Sequence, residues 1–229
     1  MSKPIIAAFH GGGSNASIYE IQCSFLTSLL SDTFRLEFFD GPFERSAGPG
    51  VLPAFDGYAP YKSWFHPETN AGDGSGFDNK GSDGVARVWR LMQERVPGGN
   101  WVGVIGFSQG SRVVGGLLLD QQRRETAGEG VPWGIKLKFG VCCMGGGAPM
   151  EGEIGFKMEK PDTVIRIPTL HLHGLKDEFL PLGREQLANY YDAESATLYE
   201  INYHHAMPWV KAESEELARR IKELYNKTK

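Results

Sequence analysis

Cysteine is scarce in this chain: three in 229 residues, with two adjacent at Cys142 and Cys143. That excludes a disulfide framework and fits a reducing, cytoplasmic setting. No apolar run approaches the roughly 18 residues needed to span a bilayer. The apolar start of the chain, residues 4–9, is cut off by His10-Gly11 too early for the core of a signal peptide. Neither sign of charge dominates. With 24 basic and 28 acidic residues the formal net charge is −4, which argues against non-specific nucleic-acid binding. Internal repeats, linkers and low-complexity blocks are also missing. The chain therefore reads as one domain over 1–229, long enough to bury a large core. His171, His173 and the cysteine pair match no metal-ligand spacing, so neither a metal nor another cofactor is expected.

Glycine, by contrast, is abundant: 30 of 229 residues, where about 7% is usual. Much of it stands where short apolar runs stop. Those runs read as six strands, near 4–9, 33–40, 101–107, 137–144, 169–173 and 197–202. Between most of them lie helical patterns, near 17–30, 83–96, 109–124, 182–191 and 210–225, the first with a capping box at Ser17-x-x-Glu20. Strands alternating with helices predict an α/β fold: a mostly parallel sheet of about six strands with helices on both faces. If the first helix crosses to one face and the later ones to the other, the first strand lies beside the third. Their C-terminal ends then form a topological switch point, where open α/β sheets bind ligands.

Residues 41–82 keep neither period, yet carry Phe43, Phe55, Tyr58, Tyr61, Trp64, Phe65 and Phe77. A loop this long and this aromatic predicts a lid-like segment walling a pocket, with Tyr61, Trp64 and Phe65 as expected substrate contacts. Residues 149–166, with Met150, Ile154, Phe156 and Met158, predict a second flap.

Gly106-Phe107-Ser108-Gln109-Gly110 falls between the third strand and the helix after it. That is the context of a G-x-S-x-G nucleophile elbow, with the Ser108 hydroxyl held clear of the backbone. Five letters prove little in so glycine-rich a chain; the partners carry more weight. A serine needs a base to take its proton, and the base needs an acid to hold its tautomer. Downstream, Asp177 follows one strand and His205 the next, both at the sheet edge that carries the elbow. Glu178 adjoins the first and His204 the second, so both pairs stay open on residues alone. For an oxyanion the expected donors are the N–H of Gln109, at a helix N-terminus, and one from the His10–Gly13 loop. Gly12 is the choice there, with Gly11 and Gly13 as close alternatives, and His10 is expected to shape the loop by hydrogen bonding.

His10-Gly11-Gly12-Gly13-Ser14-Asn15, the elbow, His171-Leu172-His173-Gly174-Leu175-Lys176-Asp177 and His205-Ala206-Met207-Pro208 together resemble the FSH-type serine hydrolases. Phe39-Asp40-Gly41-Pro42 and Tyr61-Lys62-Ser63-Trp64-Phe65 extend the resemblance over nearly the whole chain. It implies a compact α/β-hydrolase lacking the first strands of the larger fold. It also selects His205 as the base, because the family's histidine precedes x-x-Pro; His204 stands where the family has glycine. The fungal branch contains thioesterases that release chains from highly reducing polyketide synthases. The resemblance therefore implies hydrolysis of an acyl thioester through a Ser108 acyl-enzyme, with the acyl carrier protein of a polyketide synthase as partner. An acidic carrier would dock on Arg87, Arg90, Arg95 or Arg123-Arg124. Two other expectations stand beside this one: a carboxylesterase acting on short or medium oxygen esters, and a catalytically idle binding protein on the same fold.

Overall fold

The strands at the middle of the sheet are apolar on both faces, as strands covered by helices on either side must be. In β1 (Ile5–Phe9), β6 (Phe139–Cys143) and β7 (Thr169–Gly174) every residue is buried, and in β5 (Trp101–Phe107) all but the last. The outer strands, β2 (Arg35–Phe39) and β8 (Ala196–Ile201), leave residues exposed. This is a computed structural model describing residues 2–66, 84–151 and 164–228. Expectations for 67–82, Phe77 included, and for Ile154, Phe156 and Met158 fall outside the described residues.

The six strands run in the order β2-β1-β5-β6-β7-β8, and every pairing is parallel. The order reverses between β1 and β5, where Phe9 pairs with Gly106. The glycine-rich loops ending those strands thus face each other at the switch point.

Helices α1 (Ala16–Gln22), α2 (Ser24–Leu30) and α6 (Lys211–Asn226) cover one face, around a core holding Phe34, Phe38, Phe139 and Tyr225. On the other face lie α3 (Gly84–Arg95), α4 (Gly110–Thr126) and α5 (Leu180–Tyr190), with Phe9, Phe39, Trp64, Trp89 and Trp101 in the core. Phe38 and Phe39, adjacent in sequence, serve opposite cores, as alternation along a strand requires.

Local chemistry departs from the sequence expectation twice. The first helix breaks at Cys23, and its cap is Asn15, whose side chain accepts the Ile18 N–H at 2.9 Å, rather than a capping box from Ser17. Within the lid-like segment, β3 (Phe43–Arg45) and β4 (Tyr61–Ser63) form an antiparallel hairpin, and Lys62 also bridges to Ser14. That part of the segment is regular structure tied to the loop after β1.

Candidate active site

Ser108 leaves β5 with φ at +51°, a conformation unusual for a non-glycine residue. Holding it there costs about 1–3 kcal/mol and needs support from the surroundings. The Ser108 N–H donates to the Cys143 carbonyl at 2.8 Å, and its own carbonyl accepts from Ser111 N (3.0 Å) and Ser111 Oγ (2.7 Å). Both elbow glycines are required by crowding. A Cβ on Gly106 would collide with the backbone of Gly110, and one on Gly110 with the carbonyl oxygen of Phe9.

The loops after β7 and β8 bring Asp177 and His205 together. His205 Nδ1 stands 2.7 Å from Asp177 Oδ2, and Asp177 Oδ1 accepts the Phe179 N–H at 2.8 Å. An ionised carboxylate only accepts, so Nδ1 carries the proton and Nε2 keeps its lone pair. The imidazole is gripped between Phe107 and Phe179, each ring centroid 4.9 Å away. Glu178 is exposed, and the exposed His204 stacks on Tyr203 and leans on Trp209. Neither takes part in this pair. His171 and His173 are buried, His171 pushed down to about 3 by desolvation, and neither lines the cavities described below.

His10 organises the loop after β1. Its Nε2 accepts the Gly41 N–H at 2.9 Å, so Nδ1 carries the proton and donates to the Gly11 carbonyl at 2.7 Å. Burial lowers its pKa to about 4 and keeps it neutral. The Gly13 N–H is spent on the Lys62 carbonyl at 2.8 Å, whereas Gly12 and Gln109 line a cavity with Ser108. The Gln109 side chain is held by Trp64 N (2.9 Å) and Ser63 Oγ (3.2 Å), which donate to its Oε1.

Two cavities meet at Ser108. One, of about 300 Å³, is lined by Arg45, Arg112, Phe179 and Leu182 besides Gly12, Ser108, Gln109 and His205. The other, of about 400 Å³, shares Gly12, Ser108 and His205 and is walled by Ile21, Phe25, Val51, Phe55, Met207 and Trp209. A hydroxyl at a strained turn and an oriented imidazole, with the backbone of Gly12 and Gln109 lining the same cavity, are parts of the constellation that acyl transfer requires.

The family model for serine hydrolases of the FSH1 type matches residues 1–217. This chain belongs to that family. The probable esterase azaC of Aspergillus niger is 31% identical over 98% of this chain and 86% of its own. The esterase citA of Monascus ruber is 32% identical over 98% and 93%. Among solved structures, acyl-protein thioesterase 2 of Zea mays superposes with a TM-score of 0.58 at 18% identity, over 98% of this chain and 95% of that one. The fold is thus that of an α/β-hydrolase, and the protein is a serine hydrolase.

As a member of this family, the chain departs from the sequence expectation at the pocket wall. Tyr61, Trp64 and Phe65 line neither cavity. Trp64 and Phe65 are fully buried, and the Trp64 indole donates to the His10 carbonyl at 3.0 Å. The Tyr61 hydroxyl donates to the Phe55 carbonyl at 2.9 Å. These aromatics hold the loops that form the site. The walls of the second cavity come from α1 and α2, from residues 49–55 and from the segment after His205. Arg45 and Arg112 went unread because a lone arginine in an irregular stretch, or on an apolar helix, has no motif around it.

Of the arginines expected to dock a carrier, Arg87 and Arg90 stand in the earlier turns of α3, and the other three lie away from the site. Helix α4 starts at the elbow and runs for 17 residues, about 25 Å at 1.5 Å per residue. Arg123 and Arg124 therefore lie at the opposite edge of the sheet. Arg95, at the end of α3 and just before β5, lies there too, 3.7 Å from Glu37. No described helix is long and apolar enough to cross a membrane.

Proposed function

We propose that this hydrolase cleaves acyl thioesters through an acyl-enzyme on Ser108, with His205 as general base and acid and Asp177 orienting it. The Ser108 oxygen attacks the carbonyl carbon as His205 Nε2 takes its proton. Asp177 holds the Nδ1–H and offsets the imidazolium charge. The N–H groups of Gly12 and Gln109 face the oxyanion, Gln109 at the positive end of α4. Collapse expels the thiol with the proton from His205. Water then attacks the acyl-enzyme by the same route, freeing the acid and regenerating Ser108.

The observation that carries this reading is the 2.7 Å His205–Asp177 pair beside a serine held at φ +51°. The apolar cavity supports an extended, reduced acyl chain as the acid component. Release of such a chain from a carrier protein in the cytoplasm is the setting that the resemblance implies. A second reading, hydrolysis of oxygen esters, is favoured by the esterase names of the relatives.

Intact-mass analysis and turnover with acyl-N-acetylcysteamine thioesters and p-nitrophenyl esters of matched chain length separate the two readings. An adduct or turnover in wild type, lost in Ser108→Ala, is the expected result. Preference for long thioesters then favours chain release, and preference for short oxygen esters favours the second reading. An adduct that persists in Ser108→Ala would remove Ser108 as nucleophile.

A further inference from the structure

The two cavities that meet at Ser108 differ in chemistry, and the difference turns on Arg45. This residue ends β3, and the chain after it is clamped to the loop carrying Gly12. Gly48 N donates to the Gly13 carbonyl at 2.9 Å, and Gly13 N to the Lys62 carbonyl of β4 at 2.8 Å. The clamp sets the Arg45 guanidinium beside Gly12, where a Cβ would lie 3.3 Å from Nη1. The Arg45 Nε is buried with no hydrogen-bond partner. Its neighbour Glu44 turns to Lys62, at 3.0 Å, and among the described residues no carboxylate pairs with Arg45.

No acidic side chain is among the described residues lining that cavity. Asp177 is turned onto His205 and the Phe179 N–H. Arg112 adds a second guanidinium to the wall, fixed by its Nε bond to the Ala148 carbonyl (2.9 Å) and its stacking on Phe65 (3.8 Å). The partly desolvated Arg45 guanidinium, its Nε without a partner, is costly to hold there. The partner that matches its planar fork of donors is a carboxylate.

We infer that the preferred substrate is an amphipathic acyl ester or thioester, with an apolar arm in the second cavity and a carboxylate, a few atoms from the scissile carbonyl, held by Arg45. The inference rests on Ser108 as nucleophile and goes further, to the substrate's charge. The carboxylate belongs to either the acyl or the leaving group, and the test has an arm for each.

The leaving-group arm compares 4-carboxyphenyl octanoate with 4-carbamoylphenyl octanoate. The acyl arm compares octyl hydrogen glutarate with octyl glutaramate. The readout is the ratio of kcat/KM for carboxylate over carboxamide, in wild type, Arg45→Gln and Arg45→Lys. A ratio that falls at least tenfold in Arg45→Gln and recovers partly in Arg45→Lys, in one arm, supports the inference and names the side. A ratio unchanged in both arms overturns it, including the case where both substrates slow equally, which would make Arg45 an oxyanion or structural group. Using the ratio cancels any partial loss of folded enzyme. Absence of all four turnovers in wild type overturns this inference; if octanoyl-N-acetylcysteamine is left intact as well, the hydrolytic reading falls with it. Turnover with an unchanged ratio removes this inference alone.

Discussion

His205 and His204 are neighbours in sequence with opposite surroundings: His205 Nδ1 meets Asp177 Oδ2 at 2.7 Å, while the His204 ring stacks against Tyr203. Only His205 has its tautomer fixed by a carboxylate. His205→Ala should lower kcat/KM by about 10⁴-fold or more and Asp177→Asn by about 10³–10⁴-fold, with the fold intact. His204→Ala should cost no more than about fivefold, because it leaves the oriented pair in place. Steady-state hydrolysis of a p-nitrophenyl ester by the three variants, with circular dichroism to verify folding, checks this. Equal losses from the two histidines would contradict it.

The elbow makes a different demand, on space. A Cβ at Gly110 would strike the Phe9 carbonyl oxygen in β1, whereas one at Gly50, with φ +73°, would meet nothing. Gly110→Ala must move a backbone in the centre of the sheet, and an expected loss of about 3 kcal/mol or more follows. Gly50→Ala is strained only by its own dihedral, at about 1 kcal/mol. Urea denaturation of both proteins measures the difference directly.

Much of this arrangement was legible because its signals are local. The inner strands of the main sheet are short apolar runs ended by polar or turn residues, and the parallel order follows from alternation with helices. The elbow, Asp177 and His205 sit at strand ends, where loop position alone predicts convergence. The hairpin was not legible: strands of three residues are too short to show a period of two. The break at Cys23 also escaped, since apolar spacing runs on through α1 and α2. For Trp64 and Phe65 the sequence does not separate the two placements, for a physical reason. An aromatic residue near a site looks the same in sequence whether its ring faces the ligand or the protein interior.

The placement of Trp64 makes a prediction of its own. Trp64 packs edge-on against Phe9 at 5.3 Å and bonds the His10 carbonyl at 3.0 Å. Trp64→Ala should therefore cost about 3–5 kcal/mol of stability, the range for a buried tryptophan. It should leave the chain-length preference unaltered, since the ring lines neither cavity. The variant's melting temperature and its relative kcat/KM over a series of acyl lengths test both halves. A shifted length preference in a stable variant would restore Trp64 to the substrate wall.

Buried histidines set how stability responds to acid. Burial lowers His10 from 6.5 to about 4 and His171 from 6.5 to about 3; it also lowers His173. Between the unfolded and folded values the unfolded chain binds protons that the folded chain refuses. Stability therefore rises with pH in that window. For His10 and His171 the contribution is fully present above about pH 6.5 and is lost as pH falls toward 4, at about 1.4 kcal/mol per pH unit each. From pH 7 to pH 5 the urea midpoint should fall steadily, before carboxylates begin to protonate. His171→Gln can keep the contact that His171 Nε2 makes with Thr169 Oγ1 at 3.1 Å, while removing the titration. Its stability should decline with acid less steeply, by about 1.4 kcal/mol per pH unit. An unchanged slope in that variant would mean that His171 is protonated in the folded protein, against its burial.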